Sequence, residues 1–374
     1  MKVAIFGGSF NPVHNEHVKI ATQAVKELML DKLFILPANI APHKKNQSLM
    51  DAKVRLNALK CAFENQDKIE VCDYEISKQG VSYTYQTILH FKKLYKDAEL
   101  FFILGSDMLE NFPTWKNPEI IAKNATLALT KRKNGEFDDE VLIEKVESLY
   151  NVKIKRLSVY GTTVSSTKIR VYKKLGLSVS DLLPKTVENY LDSVNAFEGD
   201  YLYDYVKKTL PEKRRVHTAG VILTAISLAK KLKVDVNKAE ISSLLHDVAK
   251  YKNPLDYKDF QMDDGVCEDV IHQFLGEYIV KNELNITDQD VLLAIKYHTT
   301  GREQMTMLEK IVYIADLIEP SRKFVGVEKI REEIEKDFDS GFNYALEEIV
   351  DFLIKSGKPV YPLTLKAFKY YKGE

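Results

Sequence analysis

The segment Gly7-Gly-Ser-Phe10-Asn-Pro-Val-His14-Asn-Glu-His17 places two glycines just ahead of two histidines three positions apart. Glycines let backbone approach a ligand closely, and the unpaired N–H groups at the start of a following helix make an anion site. His14 and His17 can then face one point above the loop and hydrogen-bond a polyphosphate. The pattern is neither G-x-G-x-x-G nor a P-loop ending in Gly-Lys-Ser/Thr, so dehydrogenase and P-loop NTPase readings lose their main support. A zinc site at His14 and His17 lacks a third ligand at motif spacing. Far along the chain stand four more histidines, His217, His246, His272 and His298, and Asp247 directly follows His246. Histidine is the commonest metal ligand, and a neighbouring carboxylate marks a hard, hydrolytic metal site. A buried His-Asp pair is costly without partners, and a metal supplies one.

These residues need scaffolds of two kinds. In the first half, short apolar runs at Lys2–Phe6, Lys32–Leu36, Ile69–Val71, Leu100–Leu104, Thr126–Thr130 and Lys153–Ser158 alternate with helical stretches. The helical stretches are His17–Leu30, Lys53–Asn65, Tyr85–Tyr95 and Val141–Tyr150. Repeated βα units predict a Rossmann-like, doubly wound parallel sheet, the pattern of nucleotide-binding domains. From Tyr201 onward only helical periodicity is found. Val221, Ala225, Leu228 and Leu232 share a face with His217. The expected fold class is therefore α/β then all-α, with His246-Asp247 on a buried or half-buried helix. The change falls near residues 193–200, giving domains 1–195 and 196–374.

The 374-residue length suits two domains, and 45% hydrophobic with 29% charged residues describes a globular chain. Lys+Arg and Asp+Glu both number 54, which argues against a nucleic-acid coat protein. The neutrality is a sum of unlike parts: residues 1–195 hold 28 basic against 23 acidic residues, and the remainder 26 against 31. Cys61, Cys72 and Cys267 are widely spread without CxxC spacing, as in a reducing cytoplasm. No signal-peptide core or membrane-length apolar run is present, so a cytosolic chain without membrane or nucleic-acid partners is expected. Oligomeric state is not legible.

The loop from Gly7 to His17 resembles the H-x-G-H motif of the nucleotidyltransferase superfamily. Ser165-Ser-Thr-Lys-Ile-Arg170 resembles its partner S-S-T-x-I-R motif at a helix start. Pro37-Ala-Asn39, Pro42-His-Lys44, Gly80-Val-Ser-Tyr-Thr84 and Gly105-Ser-Asp107-Met-Leu with Pro113-Thr-Trp115 extend the resemblance. Together they are similar to the bacterial nicotinate-nucleotide adenylyltransferases through residues 1–192. Glu16 stands where that family usually has Gly, and Gln86 where an acidic residue is common. The resemblance implies that the 5′-phosphate of nicotinate mononucleotide attacks the α-phosphorus of ATP and expels pyrophosphate. His14, His17 and Arg170 would be catalytic, with Ser165, Ser166 and Thr167 on the ATP phosphates and magnesium carried by the nucleotide. Trp115 would stack on the pyridine ring, and Lys44, Ser82, Thr84 and Arg132 would hold other parts of the substrate. Gly7, Gly8, Ser9, Phe10, Gly105 and Asp107 complete the implied binding surface. Read as residues alone, Trp115 also suits a core and Lys44 a solvated surface.

In the second half, His217, His246-Asp247, His272, His298 and Asp316 follow the order of the two-metal HD-domain phosphohydrolases. Arg214-Arg-Val-His217-Thr, Leu244-Leu-His-Asp-Val-Ala-Lys250, Tyr297-His-Thr-Thr-Gly-Arg302 and Tyr313-Ile-Ala-Asp316-Leu-Ile-Glu-Pro320 resemble, more narrowly, symmetrical diadenosine-tetraphosphate hydrolases over residues 201–374. Gln273 stands where that family often has Gly. The resemblance implies two metal ions, iron by family habit, held by the four histidines, Asp247 and Asp316. Asp247 would bridge them, and water activated there would attack phosphorus. Lys250 and Arg302 could neutralise the departing phosphate or be ordinary surface charges. The expectation is thus a bifunctional enzyme acting on ATP, nicotinate mononucleotide and diadenosine tetraphosphate. Rival readings for the second half are hydrolysis of another nucleotide or alarmone, or a non-catalytic nucleotide sensor regulating the first.

Overall fold

The computed structural model describes residues 1–40, 49–78, 80–132, 139–161, 164–261 and 267–373. It divides into two compact units, Met1–Arg170 with Val179–Phe197, and Val171–Ser178 with Glu198–Glu374.

The first unit is built on β1 (Lys2–Gly8), β2 (Lys32–Pro37), β3 (Ile69–Val71), β4 (Glu99–Gly105), β5 (Thr126–Arg132) and β6 (Ile154–Gly161). All neighbours pair in parallel, in the order β3-β2-β1-β4-β5-β6. A parallel sheet covered on both faces needs near-continuous apolar strands. Val3, Ala4 and Ile5, and Leu33, Phe34, Ile35 and Leu36, are accordingly buried in sequence rather than alternately. The strand order reverses between β1 and β4, so their carboxyl ends, Gly7-Gly8 and Gly105, frame the crevice where open α/β sheets take ligands. The six strands lie where the apolar runs predict them, each extended by one to three residues except β3, which matches, and β6, which starts one residue later.

The second unit is all helix among its described residues, with the long helix Glu212–Lys231 packed against Val236–Leu245 and Met307–Ile318. Val221 and Ala225 are fully buried and Leu228 nearly so, as the periodicity around His217 requires. One expectation fails in detail. The helix Val236–Leu245 stops just before His246, so the His-Asp pair occupies the turn after it rather than the helix itself. Among the described residues, no helix is long and apolar enough to cross a membrane.

Candidate active sites

In the first unit, β1 runs through Phe10, at φ 43°, into the helix Asn15–Glu27. His14 is its N-cap, and its backbone N–H donates to His17 Nδ1 at 3.2 Å. That contact leaves a neutral His17 its proton on Nε2. The two imidazoles stack with centroids 3.7 Å apart, and Phe10 stands edge-on to His17 at 4.9 Å. Gly8 suits this packing, since a Cβ there would lie a tight 3.1 Å from the Phe10 ring. His14 is buried, its Nδ1 has no hydrogen-bond partner, and burial pushes its pKa down to about 4.

The Ser-Ser-Thr motif buttresses this loop. Ser166 Oγ donates to the Pro12 carbonyl at 2.9 Å, and Arg170 Nη1 donates to the Asn11 carbonyl at 2.8 Å. Ser165 Oγ accepts from the Lys168 N–H at the start of helix Ser166–Lys174, while Thr167 Oγ1 accepts from Arg170 Nη2. The motif's side chains thus meet the histidine loop, with helix starts at both places.

Sequence reasoning missed Arg55, a residue of helix Ala52–Phe63 that is only 2% exposed. Its guanidinium donates to four carbonyls, those of Ser9 (2.8 Å), Ala38 (2.7 Å), Asn39 (3.3 Å) and Met50 (3.1 Å). It ties the glycine loop to the end of β2. Asn39 continues the chain of contacts: its N–H donates to Ser82 Oγ at 3.0 Å, and its side chain to the Gly80 carbonyl. Thr84 begins the helix Thr84–Leu94. Trp115 is half-buried against Phe102 and Phe112, yet its buried Nε1 has no partner. Asp107 lies in the helix Ser106–Asn111, Arg132 ends β5, and Lys44 falls outside the described residues.

In the second unit the six expected side chains converge from five places. His217 comes from helix Glu212–Lys231, His272 from Glu268–Asn282 and Asp316 from Met307–Ile318. His246 and His298 lie in the turns after Val236–Leu245 and Gln289–Lys296. Each places Nδ1 against the carbonyl three residues back, Ser243 at 2.6 Å and Ile295 at 2.8 Å. His217 Nδ1 is 3.0 Å from Glu319 Oε1. In all three rings Nδ1 is engaged, so a ring in its neutral form carries its lone pair on Nε2, toward the centre.

Two triads, His217, His246, Asp316 and His246, Asp247, His298, each bring one potential ligand atom per residue within 4.8 Å of one another. Asp247, 3% exposed, turns Oδ2 toward His246 Nε2 (3.3 Å) and Oδ1 toward His272 Nε2 (3.4 Å) and His298 Nε2 (3.8 Å). His272 Nε2 also lies 3.2 Å from His298 Nε2 and 3.3 Å from Lys250 Nζ. The buried Nε2 atoms of His217 and His246 lie 3.0 Å from Asp316 Oδ1 and 3.3 Å from Asp247 Oδ2, close but poorly aligned for hydrogen bonds. Imidazole nitrogens converging on carboxylates in a largely buried site are a donor set suited to a divalent ion. Burial opposes the Asp247 charge, but His246 and His298 outweigh it and hold its carboxyl well below the usual range. Burial also opposes the Asp316 charge, and His217, His246 and Arg322 lower it more. Burial, then His298 and Lys250, push His272 down to about 3.

Arg302 stands apart from this cluster's contacts. Its Nε and Nη2 grip the fully buried Glu309 at 2.6 and 2.8 Å, closing a capping box with Thr306. Gln273, also fully buried, donates to Thr300 Oγ1 and accepts from the N–H groups of Thr299 and Thr300, fastening the His298 turn to the helix bearing His272.

An α/β unit with a Gly-Gly and histidine loop at its switch point and a His/Asp-centred helical unit together define a nucleotidyltransferase joined to an HD phosphohydrolase. Residues 5–171 match the Cytidylyltransferase-like family and residues 214–321 the HD domain family. A Mycoplasma genitalium protein named as a nicotinate-nucleotide adenylyltransferase/Ap4A hydrolase is 29% identical over 371 residues, 98% of this chain and 97% of that one. A Clostridium tetani nicotinate-nucleotide adenylyltransferase is 40% identical over 192 residues, 51% of this chain and 96% of the relative. The symmetrical bis(5′-nucleosyl)-tetraphosphatase of Halalkalibacterium halodurans is 40% identical over 170 residues, 44% of this chain and 91% of the relative. The chain belongs to the nicotinate-nucleotide adenylyltransferase family in its first half and to the symmetrical bis(5′-nucleosyl)-tetraphosphatase family in its second.

Proposed function

We propose a bifunctional enzyme whose first unit joins ATP to nicotinate mononucleotide, releasing pyrophosphate, and whose second cleaves diadenosine tetraphosphate into two ADP. The 5′-phosphate oxygen of the mononucleotide forms a bond to the α-phosphorus of ATP as the bond to the β-phosphate oxygen breaks. Such in-line displacement needs alignment and charge neutralisation rather than a protein nucleophile. His14 and His17, stacked beside the Gly7-Gly8 backbone and Ser9, would donate to the triphosphate. Arg170, with Ser165, Ser166 and Thr167, would hold the loop and the phosphates together from the partner motif. Phe10 fixes the His17 ring, and magnesium would arrive with ATP. Ser82, Thr84, Trp115 and, through the family pattern, Lys44, Gly105, Asp107 and Arg132 would take the mononucleotide. Nicotinate over nicotinamide is a preference that direct competition between the two mononucleotides tests.

In the second unit the HD domain binds divalent metal. His217, His246, Asp247 and Asp316 would hold one ion, and Asp247, His272 and His298 a second, with iron as the proposed identity. Bound ions lower the pKa of water and neutralise phosphate charge. The protein's own part is to aim Nε2 atoms and to offer Lys250, beside His272, to the departing phosphate. The observation that carries this reading is the convergence of buried histidine Nε2 atoms on Asp316 and Asp247 in two potential ligand triads. A cytoplasmic location fits these substrates and three free cysteines.

Product chromatography tests both activities. The chain is incubated with ATP and each mononucleotide, then with a panel of dinucleoside polyphosphates and alarmones. Nicotinate adenine dinucleotide and two equivalents of ADP are expected. Hydrolysis of a different nucleotide would replace the second substrate, and no turnover of any would leave a sensor.

A further inference from the structure

The proposed hydrolase substrate is a polyphosphate, to which a guanidinium offers planar, multi-point contact. Arg302 is spent on buried Glu309 through two hydrogen bonds. Two guanidiniums reach the cluster: Arg322 Nη2 meets Asp316 Oδ1, and Arg214, three residues before His217 in helix Glu212–Lys231 and therefore on the same face, meets Asp247. Its Nη1 donates to Asp247 Oδ2 at 2.7 Å, while its side chain keeps 22% of its surface exposed and Asp247 only 4%. Arg214 thus joins the buried carboxylate to solvent. A guanidinium has five donors, and its bonds to Asp247 and to the Tyr251 side chain leave others for a phosphate.

We propose that Arg214 receives a substrate phosphate beside the metal cluster and fixes the phosphorus next to Asp247. The proposal rests on the metal reading above and goes beyond it by naming the phosphate-binding side chain. A rival role is purely structural: Arg214 would only hold Asp247 in place for the ion. The two roles differ in sign. A phosphate-binding Arg214 repels the neighbouring ion, so its neutral replacement keeps or tightens metal binding while phosphate binding falls. A buttress lost would weaken metal binding first.

The test uses the full chain, Mn²⁺ and inorganic phosphate as probes. Mn²⁺ affinity is read by electron paramagnetic resonance, and phosphate at the cluster by ³¹P relaxation, which reports only phosphate close to bound Mn²⁺. Wild type and Asp247→Ala first test the metal reading; a wild type that binds no Mn²⁺ removes that reading and the proposal together. With that established, Arg214→Met is expected to bind Mn²⁺ at least as tightly as wild type and phosphate about tenfold more weakly or worse. Arg214→Lys, which keeps the charge but loses the fork, should fall between and covers a methionine variant that fails to fold. Phosphate affinity within twofold of wild type in both variants, or Mn²⁺ affinity lost in both while wild type retains it, overturns the proposal.

Discussion

Asp247 presents one oxygen to each half of the histidine cluster, Oδ2 to His246 and Oδ1 to His272 and His298. No other carboxylate can take both places from that position, so Asp247→Ala should abolish phosphohydrolase turnover and leave adenylyl transfer near wild type. Parallel assays on one preparation check this. His17→Ala should do the reverse and lower adenylyl transfer at least about tenfold, because it removes both the proposed phosphate donor and the acceptor for the His14 N–H. His14 carries a pH signature. Its folded pKa of about 4 lies below the ordinary 6.5, so between those values the unfolded chain binds the extra proton. This contribution to stability is full above about 6.5 and is lost as pH falls toward 4. A triphosphate beside the ring favours the imidazolium, so ATP binding near pH 5.5 should take up protons. Calorimetry in buffers of different ionisation enthalpy measures that uptake, and His14→Asn should reduce it.

Elements place these residues through contacts of differing legibility. The strands could be read because a parallel sheet buries both faces, and β1 and β2 are unbroken apolar runs. His14, His17 and the HD histidines could be read because their residue types suit only a few chemistries at those spacings. Arg55 could not. An arginine within Ala-Lys-Val-Arg-Leu-Asn reads as a solvated helix face, and only the fold shows it buried against the carbonyls of Ser9 and Asn39. Arg55→Met should leave four carbonyls without this donor and destabilise the first unit by about 3 kcal/mol. Denaturant titration measures that loss, and a raised KM for the mononucleotide is expected beside it. Gln273 was legible only as a departure from Gly, whereas the structure gives it a task across two elements. Gln273→Gly should free the Thr299-Thr300 turn and weaken Mn²⁺ binding severalfold, read by the same resonance titration. The helix end at Leu245 was missed because apolar residues alone do not mark a terminus where no Gly or Pro follows.

At the scale of the whole molecule, the neutral charge is divided between a basic first part and an acidic second one. In the proposed chemistry each part handles phosphate differently: one with imidazoles, guanidinium and backbone, the other with ligands for metal. Their helices are used in opposite senses. The histidine loop and the Ser-Ser-Thr motif sit at helix beginnings, whereas His246 and His298 immediately follow helix ends. Aligned peptide dipoles make the former partly positive and the latter partly negative. The chain thus points one pole of its helices at the proposed anion site and the other pole at the proposed cation site. Because peptide groups rather than side chains carry that polarity, it survives replacement of any single ligand. Asp247→Ala should therefore keep a residual, salt-sensitive attraction for divalent ions even when it has lost the geometry to use them.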